Sequence, residues 1–243
     1  MSPDAKPILN VSRLVKRFGG FHALDGLSFH VAPGEILGLV GPNGSGKTTA
    51  INVISGLYAP DGGEVVFDGA SIGGTASHRL VHAGINRTFQ IPKPFLSLTV
   101  RENIRVALAY GRASVAPPTV EDLLDEYHLT AVADRPAADL NSAQQKMLDL
   151  TRALATRPRL LLLDELAAGL NPTELDWIAG RIKALAATGM AIIVVEHLMG
   201  FIEQITDRVI VLNTGKEIFE GKLAAAVREP QVIEVFLGGD RAA

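Results

Sequence analysis

Ile36-Leu37-Gly38-Leu39-Val40-Gly41-Pro42-Asn43-Gly44-Ser45-Gly46-Lys47-Thr48-Thr49 decides the fold. A short apolar run of strand character enters a glycine-rich turn, and a helix-compatible stretch from Ala50 to Leu57 follows. The turn matches G-x-x-x-x-G-K-[ST] in its strand–loop–helix setting. Glycines suit this chemistry because successive backbone N–H groups must curl around phosphate oxygens with no Cβ in the way, and a helix N-terminus adds a favourable dipole. The pattern gives Lys47 to the β/γ-phosphates and Thr48 to Mg²⁺. Gly41, Pro42, Asn43, Gly44, Ser45, Gly46 and Thr49 complete the cradle. A dinucleotide loop is the rival, but its glycines read G-x-G-x-x-G, whereas these read G-x-x-G-x-G and are followed by Lys-Thr.

Further along, Leu160-Leu161-Leu162-Leu163-Asp164-Glu165 places two carboxylates at the end of an aliphatic run, as expected of a buried parallel strand. Asp164 would orient Mg²⁺, and Glu165 would position or deprotonate the water that attacks the γ-phosphate. Strand-like runs at Glu35 to Val40, Leu160 to Leu163, Ala191 to Val195 and Arg208 to Leu212, separated by helix-length segments, predict an α/β parallel sheet. Between Thr173 and Gly189, Leu175, Ile178, Ile182 and Leu185 share one helical face. Gly111 to Thr119 is rich in Gly, Ala and Pro, and helical segments are expected after it, from Val120 to about Leu154. These segments read as a helical insert.

Composition narrows the function. The chain has 243 residues, 47% of them hydrophobic, which fits one large domain or two small ones. Lys plus Arg number 23 against 26 Asp plus Glu, a net charge of −3, without the basic excess that nucleic-acid binding needs. There is no cysteine, which excludes disulfides, thiolate metal sites and a Cys nucleophile. No apolar run approaches the ~18 residues of a membrane span, and the first residues lack the form of a secretory signal, so a cytoplasmic location is expected.

Gly41 to Thr49 and Asp164-Glu165, together with three further elements, resemble the ATP-binding cassette family, the motor subunits of membrane transporters. Phe18, in Lys16-Arg17-Phe18-Gly19, looks like the aromatic that stacks on adenine. Gln90, in Arg87-Thr88-Phe89-Gln90, looks like the glutamine that contacts Mg²⁺ and water at the hinge to a helical subdomain. His197, in Val194-Val195-Glu196-His197, looks like the switch histidine on the γ-phosphate. The resemblance implies a single domain over 1–243 with a RecA-like P-loop NTPase core (about 1–90 and 155–243). A helical subdomain (about 91–154) and an N-terminal antiparallel β region would complete it. ATP and Mg²⁺ are the implied ligands.

Three stretches look like the branched-chain amino acid uptake group: Gly84 to Gln90, Ala167 to Glu174, and Val232-Ile233-Glu234-Val235-Phe236-Leu237-Gly238. That group works at the cytoplasmic face of the bacterial inner membrane. The implied partners are transmembrane permease subunits, a second cassette in a homodimer or heterodimer, and indirectly an external solute-binding protein. Each ATP would lie between one subunit's phosphate loop and the other's signature segment.

Two departures stand out. Where the family usually has Leu-Ser-Gly-Gly-Gln, this chain reads Leu140-Asn141-Ser142-Ala143-Gln144. Asn141, Ser142 and Gln144 are the expected contacts to the partner's nucleotide, with Asn141 capping the following helix in place of Ser. Ala143 is the harder change, since its Cβ intrudes toward phosphate and resists a positive φ. Leu166 stands where the family usually has Pro. An exporter motor of the lipopolysaccharide-export type and a nucleotide-binding regulatory subunit remain alternatives. A soluble cassette ATPase of DNA repair or translation is disfavoured by the single cassette without cysteine, and a GTPase by the absence of an Asn-Lys-x-Asp motif.

Overall fold

The computed structural model describes residues 6–112 and 117–238. Residues 113–116, within the Gly- and Pro-rich stretch, lie outside the described residues. Among the latter there are ten strands in two sheets. The first sheet is antiparallel, in the order β2 (Phe21–Val31), β1 (Leu9–Phe18), β4 (Gly62–Phe67), β5 (Ala70–Ser71). The second runs β10 (Lys216–Gly221), β9 (Arg208–Asn213), β3 (Ile36–Val40), β8 (Ala191–Val195), β7 (Leu160–Asp164), β6 (Ile85–Arg87). Its five strands from β9 to β6 are parallel, while β10 returns antiparallel on the edge, a departure from the all-parallel sheet expected.

The apolar runs of β3, β7 and β8 are fully buried because both faces of the sheet are covered. Leu160 and Leu162 point into a core shared with the antiparallel sheet and α1 (Lys47–Ile54). Leu161 and Leu163 point into the opposite core with α5 (Ser142–Ala155) and α6 (Pro172–Ala187). This alternation follows from the two-residue period of a strand. Helix α1 begins at Lys47 itself and ends before Gly56, earlier than the expected Ala50 to Leu57. At φ 72°, Gly56 lies in the left-handed region that closes helices, with the Leu57 amide bonded to the Asn52 carbonyl. A short α2 (Ser77–Ala83) leads into β6.

The helical insert starts earlier than the Gly- and Pro-rich stretch. Helix α3 (Val100–Ala109) precedes it, and α4 (Val120–Glu126), two 3₁₀ turns and α5 follow. Thr99 and Glu102 form a reciprocal capping box at the start of α3, and Thr119 and Asp122 do the same for α4. After β8 come α7 (Met199–Ile205), α8 (Leu223–Ala226) and α9 (Pro230–Gly238). No helix among the described residues is long and apolar enough to cross a membrane.

Candidate active site

The loop between β3 and α1 keeps three glycines in left-handed backbone: Gly41 at φ 148°, Gly44 at 78° and Gly46 at 109°. A Cβ on Gly41 would sit 2.2 Å from the Leu212 carbonyl oxygen, and one on Gly46 would sit 2.6 Å from that of Ala23. Close packing against neighbouring main chain, besides conformational freedom, therefore demands glycine here. No side chain caps α1, whose N-cap is Gly46. Lys47 Nζ donates to the carbonyls of Gly41 (2.7 Å) and Pro42 (2.8 Å), so the loop is wound around its own lysine. Burial pushes the Lys47 ammonium below its ordinary range, while Glu165 and Asp164 pull it back up.

A cavity of about 490 Å³ lies over this loop, lined by Phe18, Phe21, Asn43 to Thr49, Gln90, Glu165 and His197. The parallel strands β3, β7, β8 and β6 lead at their C-terminal ends into the phosphate loop, Glu165, His197 and Gln90, where α/β sheets bind ligands, and β1 and β2 of the other sheet bring Phe18 and Phe21. Glu165 has φ 51°. Its Oε2 accepts from Gln90 Nε2 at 2.7 Å, and its Oε1 lies 2.9 Å from His197 Nε2. Three residues far apart in sequence thus meet on one carboxylate. Phe18 is exposed at the cavity mouth, edge-to-face with Tyr58 at 5.2 Å between ring centroids, and Phe21 flanks it across the Gly19-Gly20 turn.

Asp164 lies behind the wall rather than on it. Its Oδ2 accepts from Arg87 at 3.1 Å, and its Oδ1 is buried without a hydrogen-bond partner among the described residues. Burial raises its pKa, opposed by Arg87. An anionic oxygen left without a donor, near enough to the Lys47 ammonium to feel its charge, fits a hard cation.

Asn141, Ser142 and Gln144 do not join this cavity. Asn141 and Gln144 line a second one, of about 390 Å³, with Ala143, Met147, Leu170 and Trp177. Asn141 Oδ1 accepts from the Gln144 amide at 2.9 Å and Gln144 Oε1 accepts from the Asn141 amide at 3.1 Å, a complete capping box. The expected conflict at Ala143 does not arise on backbone grounds: it lies in the first turn of α5 and is not among the positive-φ residues. Leu166, whose consequence the sequence left open, is buried in the core beneath α5 and α6.

Sequence reasoning missed a set of buried and half-buried charged residues behind the site. Arg87 bonds Asn52 and Ser55 as well as Asp164. Asp149 Oδ2 accepts from the Phe89 amide at 2.8 Å, beside Gln90, and burial raises the pKa of Asp149. Arg152 donates to the Lys93 carbonyl at 2.8 Å and lies 5.0 Å from the Phe95 ring centroid.

Strand, glycine loop, lysine and terminal carboxylates define a P-loop nucleoside triphosphatase. The ABC transporter family model matches residues 24–168. The chain is 36% identical to the high-affinity branched-chain amino acid transport ATP-binding protein BraF of Pseudomonas aeruginosa, covering 96% of this chain and 99% of that one. It is 34% identical to the LivG protein of the same description from Escherichia coli, covering 96% and 99%. The crystal structure of the ADP conformation of MJ1267, an ATP-binding cassette of an ABC transporter, matches with TM-score 0.84 at 33% identity, over 96% of this chain and 100% of that one. A dimeric cassette in a post-hydrolysis state bound to ADP and Pi matches with TM-score 0.80 at 26% identity, over 88% and 98%. The chain belongs to the ABC transporter family and is its ATP-hydrolysing subunit.

Proposed function

We propose that this chain powers import of branched-chain amino acids across a bacterial inner membrane. It works from the cytoplasmic face beside permease subunits and a second cassette, with an external solute-binding protein supplying the cargo. The joining of Gln90, Glu165 and His197 at the mouth of the phosphate loop carries the hydrolytic half of this reading. The cargo half is supported by BraF and LivG, relatives along nearly the whole chain whose names concern amino acid transport rather than export.

In this reading Lys47, the loop amides and Thr48 hold the triphosphate, and Phe18 stacks on the base. Glu165 accepts the proton of the attacking water. Gln90 and His197 hold its carboxylate in place until the γ-phosphate arrives. Thr48, Gln90 and Asp164 would hold Mg²⁺, which neutralises charge on the phosphate oxygens when bound. Asn141, Ser142 and Gln144 serve the nucleotide of the partner cassette.

The segment after Gln90 carries the exposed apolar residues Ile91, Phe95 and Leu96, which suit a helix of the permease. It is not a free loop: Asn103 Oδ1 accepts from the Phe95 amide, and Arg152 lies over its ring. Deleting the gene should abolish ATP-dependent uptake of leucine, isoleucine and valine. The wild-type gene should restore uptake and Lys47→Ala should not. Unchanged branched-chain uptake in the deletion strain would refute the cargo.

A further inference from the structure

The residues that follow Asp164 are gripped by two buried side chains of opposite charge that the reaction described above does not use. Lys146, in the second turn of α5 and 8% exposed, donates from Nζ to the carbonyl oxygens of Glu165 (2.8 Å), Leu166 (3.3 Å) and Ala168 (2.5 Å). An ammonium has three N–H donors, so all three are spent on one turn of main chain. No carboxylate forms an ion pair with it among the described residues. From the other side Glu196, 2% exposed at the end of β8, accepts from the Ala167 amide at 2.6 Å. The Glu165 amide donates to the Val195 carbonyl at 2.9 Å.

This grip falls on the one strained residue of the site. Left-handed backbone costs a non-glycine residue about 1–3 kcal/mol and persists only where the surroundings over-determine it. For Glu165 the over-determination is visible, because its amide, its carbonyl and both carboxylate oxygens are each engaged. The carbonyl partner alone comes from α5, the helix capped by Asn141. A compact ammonium is suited to the task, since three carbonyl oxygens converge on one point, which a planar guanidinium fork would not match.

We infer that Lys146, backed by Glu196, is a positioning residue for hydrolysis: it holds the Glu165–Ala168 turn in the conformation that aims the Glu165 carboxylate into the cavity, and it makes that turn move with the signature helix. The inference rests on the reading of Glu165 as the group that activates water.

The test compares the full chain with Lys146→Met, Glu165→Gln and the double variant. Methionine keeps the length of the stem and removes the ammonium. Lys146→Met should lower kcat about 10- to 100-fold, the scale of a misplaced catalytic group, while the KM for ATP and the affinity for a fluorescent ATP analogue change less than about threefold. In the Glu165→Gln background it should cost nothing more, because both changes act on one carboxylate. Amide hydrogen exchange should quicken over residues 165–171 and stay unchanged in α1 and β8, which separates local release from general unfolding. Lys146→Met removes the through-space positive charge that offsets the buried Glu196, so Lys146→Met/Glu196→Gln is the second variant, with the same expected loss of kcat. Unchanged kcat in both, unchanged exchange over 165–171, or a loss that multiplies that of Glu165→Gln overturns the inference. Wild-type turnover by Glu165→Gln alone would refute the role of Glu165 instead, and the exchange result would still decide whether Lys146 holds the turn.

Discussion

Two helix starts in this molecule face the same problem and solve it in opposite ways. Any α-helix begins with backbone amides that lack intrahelical partners. At α1 the preceding loop is glycine in left-handed backbone and no side chain caps the helix, so the amides remain directed at whatever anion enters. At α5 the sequence supplies its own acceptors: Asn141 takes the Gln144 amide and Gln144 takes the Asn141 amide. The first start is built to bind and pays in conformational freedom, whereas the second is built to hold. Family resemblance alone suggested that losing glycine at Ala143 would damage the signature segment. The ordinary helical backbone there removes the part of that objection that concerns a positive φ.

The largest effect is expected inside the first region. Glu165→Gln should reduce the rate of hydrolysis at least ~10²-fold, the loss typical of a general base, with ATP still bound; wild-type turnover would break the assignment. Lys47→Ala should weaken ATP binding by about one to two orders of magnitude, because a charge-assisted contact contributes roughly 1.5–3 kcal/mol. Equilibrium titration with ATP checks it.

The next pair contrasts the two regions directly by urea denaturation. Gly46→Ala should destabilise the fold by about 1–3 kcal/mol, since it combines left-handed strain with a clash against the Ala23 carbonyl. Ala143→Gly should cost only about 1 kcal/mol, the helix-propensity difference. Equal costs would mean that the two starts are not different in kind.

The smallest effect is a slope. Burial holds the pKa of Asp149 above its ordinary value, so the native state binds its proton more readily than the unfolded chain does. A group raised in this way contributes stability that is lost as pH rises through its folded value. The wild type should therefore gain stability relative to Asp149→Asn as pH falls toward the ordinary carboxylate value of about 4. The opposite slope, measured by denaturation at each pH, would show that the Phe89 amide outweighs burial.

Much of this was legible in the sequence because it is local. The strands β3, β7, β8 and β9 read as apolar runs, and the glycine loop declares itself by spacing within nine residues. Helix α3 was legible too, through Thr99-Val100-Arg101-Glu102, a capping-box signature that the reading of the insert passed over. Arg87, Lys146, Asp149 and Glu196 were not legible. Each is an ordinary charged residue in the chain and gains its partners only when segments distant in sequence meet, as Arg87 does with Asp164 77 residues on. The antiparallel edge β10 was hidden for a related reason: its residues, Lys216 to Gly221, are exposed or half-buried and carry only two apolar side chains, Ile218 and Phe219.

Helix α5 is a rod of fourteen residues, about 21 Å long at 1.5 Å per residue. It meets the second cavity in its first turn at Asn141 to Gln144, the catalytic turn through Lys146, and the Phe89–Phe95 segment through Asp149 and Arg152. A rigid body gripped at three places has fewer independent motions than three loops would have. If Phe95 meets the permease as proposed, a push there would reach Glu165 as displacement rather than as loosened packing. The helix acts as a crankshaft, and its wear should appear as slippage: ATP consumed without cargo moved.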